Sequence, residues 1–229
     1  MKTYKHKNIT IINGDCMEIM EEIEDKYYDL SCVDPPYGIG EDGLKNHSRG
    51  KLAETTKFTP KTWDGEKITS KYITELLRVS KKQIIWGANH FISRIALDSS
   101  CWIVWDKDNG KTDFADCELA WTSFTTAVRQ FKFKWQGMLQ GDMKNKEQHI
   151  HPTQKPIALY KWLLKNYAKE GDKILDTHLG SGSSAIACYD MGFEFTGIEL
   201  DEEYFDACVK RFEKHIEQQA LFTPKEIYG

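Results

Sequence analysis

The sequence predicts an α/β fold with a mainly parallel sheet flanked by helices. Three observations lead to this prediction. Short apolar runs of strand length recur along the chain, segments with helical spacing alternate with them, and several runs end in an acidic residue or a glycine-containing turn. Strands that alternate with helices build layered α/β structures. The chain has 229 residues, 40% of them hydrophobic, so we expect a single domain over 1–229.

The first part of the chain supplies six predicted strands. Apolar runs bounded by polar residues or glycine indicate the strands, and Gly87 ends one of them. Tyr72, Ile73 and Leu76 follow the helical repeat and predict a helix there. The predicted strands are 8–12, 30–33, 83–87, 101–106, 117–121 and 128–135, and the predicted helices are 17–24, 69–79 and 91–97.

The last third of the chain alternates more regularly. Pro156 suits the beginning of a helix, and a strand over 173–176 precedes a glycine-rich turn. A helix then runs to Met191, and a strand follows over 194–200. Asp201 is expected to cap the last helix. The apolar side of that helix repeats every three or four residues.

Two polar segments interrupt these elements, at 38–65 and 136–152. Loops of such length within a compact domain are usually functional or disordered. We therefore interpret both as inserted loops and as candidate recognition segments.

Composition excludes several classes of protein. No apolar run approaches the length needed to span a bilayer, and the first residues lack the apolar core of a signal peptide. The six cysteines are scattered without a C-x-x-C pair, so neither a disulfide framework nor a metal site is expected. A cytoplasmic protein is the default. A formal charge of −4 gives no overall basic footprint, so nucleic-acid contacts would have to come from local patches.

A compact motif follows the second predicted strand, at Asp34-Pro35-Pro36-Tyr37. The prolines fix their own φ angles and push Asp34 toward extended geometry. A carboxylate, the Pro35 carbonyl and an aromatic face are thus presented together. The two oxygens can accept hydrogen bonds from an exocyclic amine while the ring of Tyr37 stacks on the planar group that carries it. An acidic cap and a proline turn would be the purely structural interpretation.

A second motif lies at the strand that ends in Asp176. The glycine-rich turn after it brings backbone N–H groups close to a ligand, and Glu199 ends the next strand, where a carboxylate can accept both hydroxyls of a ribose. Gly180-x-Gly182-x-x-Ala185 formally matches a dinucleotide fingerprint. Asp176 would face a pyrophosphate unfavourably but would favour an ammonium. The motif therefore favours S-adenosyl-L-methionine over NAD.

Together these motifs resemble those of the permuted, β-type amino-methyltransferases of DNA, the N4-cytosine/N6-adenine DNA methylase family, in which the catalytic motif precedes the cofactor loop. The resemblance implies a Rossmann-like methyltransferase with a mainly parallel, seven-stranded sheet and circularly permuted motif order. It departs from the family at Thr177-His178, where Pro-Phe is usual, and at Ser183, where Thr is usual. The matching segments are Asp34-Pro35-Pro36-Tyr37, 78–81 with 85–89, His151-Pro152-Thr153-Gln154-Lys155-Pro156, 176–183 and Gly197-Ile198-Glu199-Leu200.

The resemblance also implies roles for individual residues. Asp34, Pro35, Pro36 and Tyr37 would be catalytic. Asp15 would contact the adenine amine of the cofactor, Glu199 its ribose, and Thr153 and Lys155 its carboxylate. The other expected cofactor residues are Asp176, His178, Gly180, Ser181, Gly182 and Ser183. The expected DNA contacts are Lys45, Arg49, Lys51, Lys132, Lys134 and Lys144.

The implied activity is methyl transfer from S-adenosyl-L-methionine to the exocyclic amine of a DNA base, with the target base flipped or single-stranded. Asp34 at the first motif position favours adenine N6 over cytosine N4. A cysteine nucleophile for C5 methylation would typically follow proline, and no Pro-Cys occurs. Alternatives are an N4-cytosine enzyme, a methyltransferase of RNA or of protein glutamine, and a non-catalytic cofactor-binding protein. The family's habit also predicts a homodimer.

Overall fold

A computed structural model describes residues 1–39, 68–110, 115–136 and 139–220 of the chain. Almost all of the first predicted loop, 38–65, and with it Lys45, Arg49 and Lys51, therefore lies outside the described residues. Within the described ranges, no helix is long and apolar enough to cross a membrane.

The described chain contains eleven strands and six α-helices. The strands are β1 (Lys2–His6), β2 (Ile9–Asn13), β3 (Tyr28–Val33), β4 (Ser80–Trp86), β5 (Ile103–Asp106), β6 (Cys117–Thr122), β7 (Arg129–Lys132), β8 (Trp135–Gln136), β9 (Leu139–Gln140), β10 (Lys173–Asp176) and β11 (Glu194–Glu199). The α-helices are α1 (Cys16–Glu21), α2 (Ser70–Val79), α3 (Ile92–Ile95), α4 (Ile157–Tyr167), α5 (Ser183–Met191) and α6 (Glu202–Ala220), and a 3₁₀ turn covers Ala88–His90.

Nine of these strands form one sheet in the order β1-β2-β11-β10-β3-β4-β6-β5-β7. The five central strands, from β2 to β4 in this order, are parallel to one another. β6 runs antiparallel to both of its neighbours, and β8 and β9 form a separate hairpin. The mainly parallel α/β fold predicted from the sequence is confirmed.

The expected number of seven strands is wrong for the described residues, because the sheet extends further at both edges. β1, which pairs with β2, escaped prediction because its residues are mostly polar and its side chains lie partly in solvent. The run predicted as one strand over 128–135 divides into β7 and the first residue of β8. The short helix α3 ends early, because Ala96 adopts a left-handed φ of 52°.

Helices cover both faces of the sheet, and alternating residues of the central strands point to the two sides. In β3, Leu30 and Cys32 pack into one apolar cluster with α4, α5 and α6. Val33 packs into the other, with α1 and α2. This three-layer arrangement leaves the carboxyl ends of the parallel strands as the edge where loops from both halves of the chain meet.

The order of connection reverses between β3 and β10. From β3 the chain proceeds outward to β4, whereas from β10 it proceeds in the opposite direction to β11. Loops that leave the carboxyl ends of two such strands diverge and open a crevice, where ligands of open α/β sheets bind. The loop after β3 contains Asp34, and the loop after β10 contains Gly180.

Candidate active site

Two cavities open at this crevice and share a wall. The first has a volume of about 550 Å³ and lies above the ends of β2, β10 and β11. The second, of about 520 Å³, lies above the ends of β3, β4 and β6. Asp34, Pro36, Thr153, Gln154 and Lys155 line both. The two sequence motifs therefore meet at one place.

The structure brings most of the predicted cofactor residues to the first cavity. Glu199 accepts the backbone N–H of Gly180 at 2.7 Å on one carboxylate oxygen and that of Asp201 at 2.9 Å on the other. Each oxygen keeps a further lone pair. The predicted residues that line this cavity are Asp15, Asp34, Pro36, Thr153, Lys155, His178, Gly180, Ser181 and Glu199.

Asp15 has a structural function as well as a place in the cavity wall. It is the N-cap of α1 and accepts the backbone N–H of Met17 at 2.7 Å on Oδ1. A carboxylate oxygen remains available for a donor in the cavity.

Three predicted cofactor residues lie behind the glycine-rich loop, outside the residues that line the cavity. Asp176 is 1% exposed, and its carboxylate accepts Ser184 Oγ at 2.6 Å and the His178 backbone N–H at 3.1 Å. Burial raises the pKa of Asp176 to about 7. Gly182 packs against Cys208, and the hydroxyl of Ser183 faces Ser181 and Arg211. These side chains support the loop from beneath, because α5 begins at Ser183 and turns inward.

His178 replaces the family's usual phenylalanine and is held by a small polar cluster. Its Nδ1 lies 3.0 Å from the hydroxyl of Thr177, which in turn lies 2.6 Å from the hydroxyl of Tyr72 on α2. Burial lowers the pKa of His178 to about 4. The imidazole is therefore neutral at neutral pH and contributes a polar but uncharged wall to the first cavity.

Asp34 occupies the common wall and is engaged on both oxygens. Tyr37 donates its hydroxyl to Oδ1 at 2.6 Å, and the ammonium of Lys155 donates to Oδ2 at 2.6 Å. Burial raises the pKa of Asp34, and the adjacent ammonium opposes that rise. Burial also raises the pKa of Tyr37 well above its usual value, so the phenol remains a donor.

Lys155 lines the first cavity, and its ammonium is held there by carboxylates of the protein. Its ammonium lies between Asp34 and Glu118, 2.9 Å from Glu118 Oε2, and its side chain is 3% exposed. Burial opposes its charge, but these two carboxylates raise the pKa of Lys155. Protein carboxylates therefore satisfy this ammonium at the border of the two cavities.

The second cavity has an aromatic lining. Tyr37 stacks on His90 with ring centroids 5.1 Å apart and 13° between the planes. Trp105 and Trp135 line the same space, and Trp135 also donates its indole N–H to the Gln154 carbonyl at 2.9 Å. Flat apolar surface beside a carboxylate suits a planar heterocycle that carries an amine.

Sequence reasoning missed several residues of both cavities. His151 lies in the first cavity against Tyr204, with ring centroids 4.4 Å apart, although it belongs to a segment that the family resemblance had identified. Glu118 had no local signal, because it stands between Cys117 and Leu119 in an ordinary strand sequence. Only its position opposite Lys155 reveals it.

The predicted DNA contacts within the described residues lie on exposed or partly exposed sites. Lys132 on β7 pairs with Asp108 at 2.9 Å, which offsets its charge. Lys134 is partly exposed, and Lys144 is exposed. The second polar segment, 136–152, is anchored to the body, because Glu147 pairs with Arg211 at 2.7 Å. No cluster of His, Cys, Asp or Glu among the described residues has the arrangement of a metal site.

Comparison with known proteins relates the chain to DNA methyltransferases. A family model described as DNA methylase, N6_N4_Mtase, matches residues 104–210. The type II methyltransferase M2.DpnII of Streptococcus pneumoniae is 26% identical over 93% of this chain and 92% of its own length. The type II methyltransferase M2.LlaDCHI of Lactococcus lactis subsp. cremoris is 25% identical over 92% and 91%.

Solved structures agree on the fold. The M1.HpyAVI–SAM complex superposes with a TM-score of 0.59 at 23% identity, covering 89% of this chain and 98% of its own. The cytosine-N4-specific PvuII DNA methyltransferase superposes with a TM-score of 0.58 at 12% identity, covering 93% and 92%. The family match over 104–210, the two relatives and the convergence of the motifs on one crevice all agree with the resemblance of this chain to the N4-cytosine/N6-adenine DNA methylases.

Proposed function

We propose that the protein transfers a methyl group from S-adenosyl-L-methionine to the exocyclic amine of a DNA base, adenine N6, within a specific site. One observation carries the proposal. Asp34 stands on the wall shared by a cavity of nucleotide-binding character and a cavity lined by aromatic rings. A carboxylate at that position can hold an amine from one cavity toward a methyl donor in the other.

The first cavity fits the cofactor. Asp15 offers an acceptor for the adenine amine, and Glu199 retains one lone pair on each oxygen for the ribose hydroxyls. Gly180 and Ser181 bring the glycine-rich backbone to the methionine portion. Thr153 and His178 complete the polar wall. His178 stands where phenylalanine is usual in the family, so this position keeps an aromatic ring and gains polar ring nitrogens.

Bound there, S-adenosyl-L-methionine supplies an electrophilic methyl group. The chain's own residues then have to make the amine reactive, because its lone pair is delocalised into the base. The carboxylate of Asp34 and the carbonyl of Pro35 accept the two N–H bonds and favour a pyramidal nitrogen. Tyr37 donates to Asp34 and fixes the orientation of the carboxylate. The amine loses one proton on methylation. That proton comes from the N–H group that donates its hydrogen bond to the carboxylate of Asp34.

The second cavity is the proposed site for the target base. A base stacked in duplex DNA has its amine engaged in pairing, so the base has to leave the stack. The aromatic rings of this cavity can replace the stacking that the base loses when it leaves the duplex. They are the stacked pair of Tyr37 and His90, together with Trp105 and Trp135. Lys134 and Lys144 remain candidate contacts to the phosphate backbone, as does Lys132, although Asp108 offsets its charge. A homodimer, a habit of this family, remains a prediction that light scattering would test.

Adenine is preferred to cytosine because the catalytic motif begins with aspartate, whereas serine at that position favours cytosine N4 in this family. Incubation with S-adenosyl-L-methionine and DNA, followed by digestion to nucleosides and mass spectrometry, distinguishes the products. N6-methyladenine is expected. N4-methylcytosine would assign the alternative specificity, and no methylated base would contradict the proposed function.

Asp34→Asn tests the catalytic assignment, since it keeps the shape of the side chain and removes the charge. The rate of methyl transfer should fall about 100-fold or more, whereas cofactor affinity by calorimetry should change little. Asp29→Asn is the matched control, because Asp29 lies near the far end of β3, the strand that Asp34 follows, and pairs with Lys81. Equal activity of the two variants would remove Asp34 from the mechanism.

A further inference from the structure

Four charged side chains form a continuous row of alternating sign through the common wall. Asp34 contacts Lys155 at 2.6 Å, Lys155 contacts Glu118 at 2.9 Å, and Glu118 contacts Lys107 at 2.5 Å. Lys107 ends the row against the ring of Trp105, 5.2 Å from its centroid. The proposed reaction uses the first member of the row and gives no function to Glu118.

Three oxygens surround the ammonium of Lys155, two of them as hydrogen-bond acceptors and that of Glu118 as an ion-pair partner. They are Asp34 Oδ2, Glu118 Oε2 and the hydroxyl of Tyr37, the last at 3.2 Å. A buried ammonium has to keep its hydrogens paired. If Glu118 were absent, the ammonium would lose one of its two carboxylate partners and would turn further toward the other, which is Asp34.

Asp34 has limited capacity for this. Its two oxygens already accept one bond each, from Tyr37 and Lys155, and about one lone pair remains on each. An amine from the base requires one of these. A second bond from Lys155 would compete with the amine for the same oxygen.

We propose that Glu118 is a positioning residue for methyl transfer, which shares the Lys155 ammonium with Asp34 and so limits it to a single bond to Asp34, leaving that carboxylate able to accept the amine. The inference rests on the proposed function of Asp34. Glu118 also affects Asp34 electrostatically: its negative charge raises the pKa of Asp34. Lys155 and Lys107 outweigh burial and lower the pKa of Glu118 to about 2, so Glu118 is ionised throughout the neutral range.

Glu118→Gln tests the proposal, because the amide fills the same space without the charge. The maximal rate of methyl transfer should fall about tenfold or more, less than deletion of a direct contact would cost. The acid limb of the pH–rate profile should move to lower pH, since Glu118 no longer raises the pKa of Asp34. Cofactor affinity should stay unchanged, because Glu118 does not line the first cavity.

Two further variants separate positioning from stability. Glu118→Asp restores the charge and should return the acid limb to its wild-type position. Asp190→Asn removes a largely buried carboxylate paired with Lys161 and His215 on the helical layer, away from both cavities, and should leave the profile unchanged. A wild-type rate in Glu118→Gln, or a lower rate with an unmoved acid limb, would overturn the proposal.

The positioning claim is also measurable without activity. Carbon-13 NMR titration of the Lys155 ε-carbon should show a lower pKa in Glu118→Gln than in the wild type, because one of the two carboxylates that raise it is gone. An unchanged Lys155 pKa would overturn the inference. A wild-type protein that methylates no DNA would instead contradict the proposed function.

Discussion

At the scale of single residues, the position of Tyr37 depends on the absence of a side chain at Gly87. Gly87 has a left-handed φ of 66°, and a Cβ there would lie 1.9 Å from Cε1 of the Tyr37 ring. No rearrangement of a few tenths of an ångström relieves such an overlap. Gly87, which follows β4, therefore allows the aromatic ring of Tyr37 to lie where its hydroxyl meets Asp34.

Gly87→Ala should reduce methyl transfer about 100-fold, because a displacement of about 1 Å in a positioning group can cost that much. Cofactor affinity should be preserved, since Gly87 lines only the second cavity. Gly192→Ala is the matched control: its φ is 80°, but no atom lies within 4 Å of the added carbon. Similar rates in the two variants would contradict this account of Tyr37.

At the scale of elements, α6 connects the glycine-rich loop after β10 to the beginning of α4. Arg211 on α6 donates to the Ser181 carbonyl at 2.7 Å and to Glu147 at 2.7 Å. Glu147 also accepts the backbone N–H of Ile157, the first residue of α4, at 2.9 Å. One guanidinium thus connects the glycine-rich loop, the second polar segment and the helix that follows Lys155.

Arg211→Met should destabilise the protein by about 3 kcal/mol, because it leaves the carboxylate of Glu147 buried without its partner. It should also weaken cofactor binding, since the loop at Ser181 loses its support. Chemical denaturation and calorimetry measure the two effects. Glu147→Gln keeps an acceptor for Ile157 and should cost less stability. Loss of stability with unchanged cofactor affinity would show that the connection does not position the loop.

At the scale of the whole molecule, Asp176 contributes a dependence of folding stability on pH. Burial raises its pKa from 3.8 to about 7, so between these values the folded state binds more protons than the unfolded state. Stability therefore falls as pH rises through this window. About three pKa units correspond to at most about 4 kcal/mol.

Asp176→Asn should remove this dependence. The unfolding free energy of the wild type, minus that of the variant, should decrease as pH rises from 4 to 7 and then level off, as urea titrations at several pH values would show. The pKa of Asp190 is shifted in the opposite direction to that of Asp176. Burial of Asp190 opposes ionisation, but His215 and Lys161 hold its pKa below the usual value. Its contribution should be lost as pH falls. A difference for Asp176→Asn that does not vary with pH would contradict the assignment.

The extent to which the sequence determined the fold differs between elements. The parallel strands β3, β10 and β11 could be predicted from their apolar runs, which are buried on both faces of the sheet. Helix α6 could be predicted from its helical repeat and from the cap at Asp201, whose carboxylate accepts the Glu203 and Tyr204 N–H groups. β1 gave no such signal, because an edge strand with exposed lysines has little apolar pattern.

By itself, the sequence determined the class of the fold, the two motifs and the chemistry that each can perform, because proline, glycine and carboxylate constrain the backbone and its ligands locally. Tertiary structure alone decided which side chains face the cavities. It turned Asp176 and Ser183 inward, placed Lys155 beside Asp34, and brought Glu118 to the same ammonium from a strand more than thirty residues earlier in the chain. Burial and ion pairing depend on the juxtaposition of distant segments, and residue spacing along the chain contains no information about it.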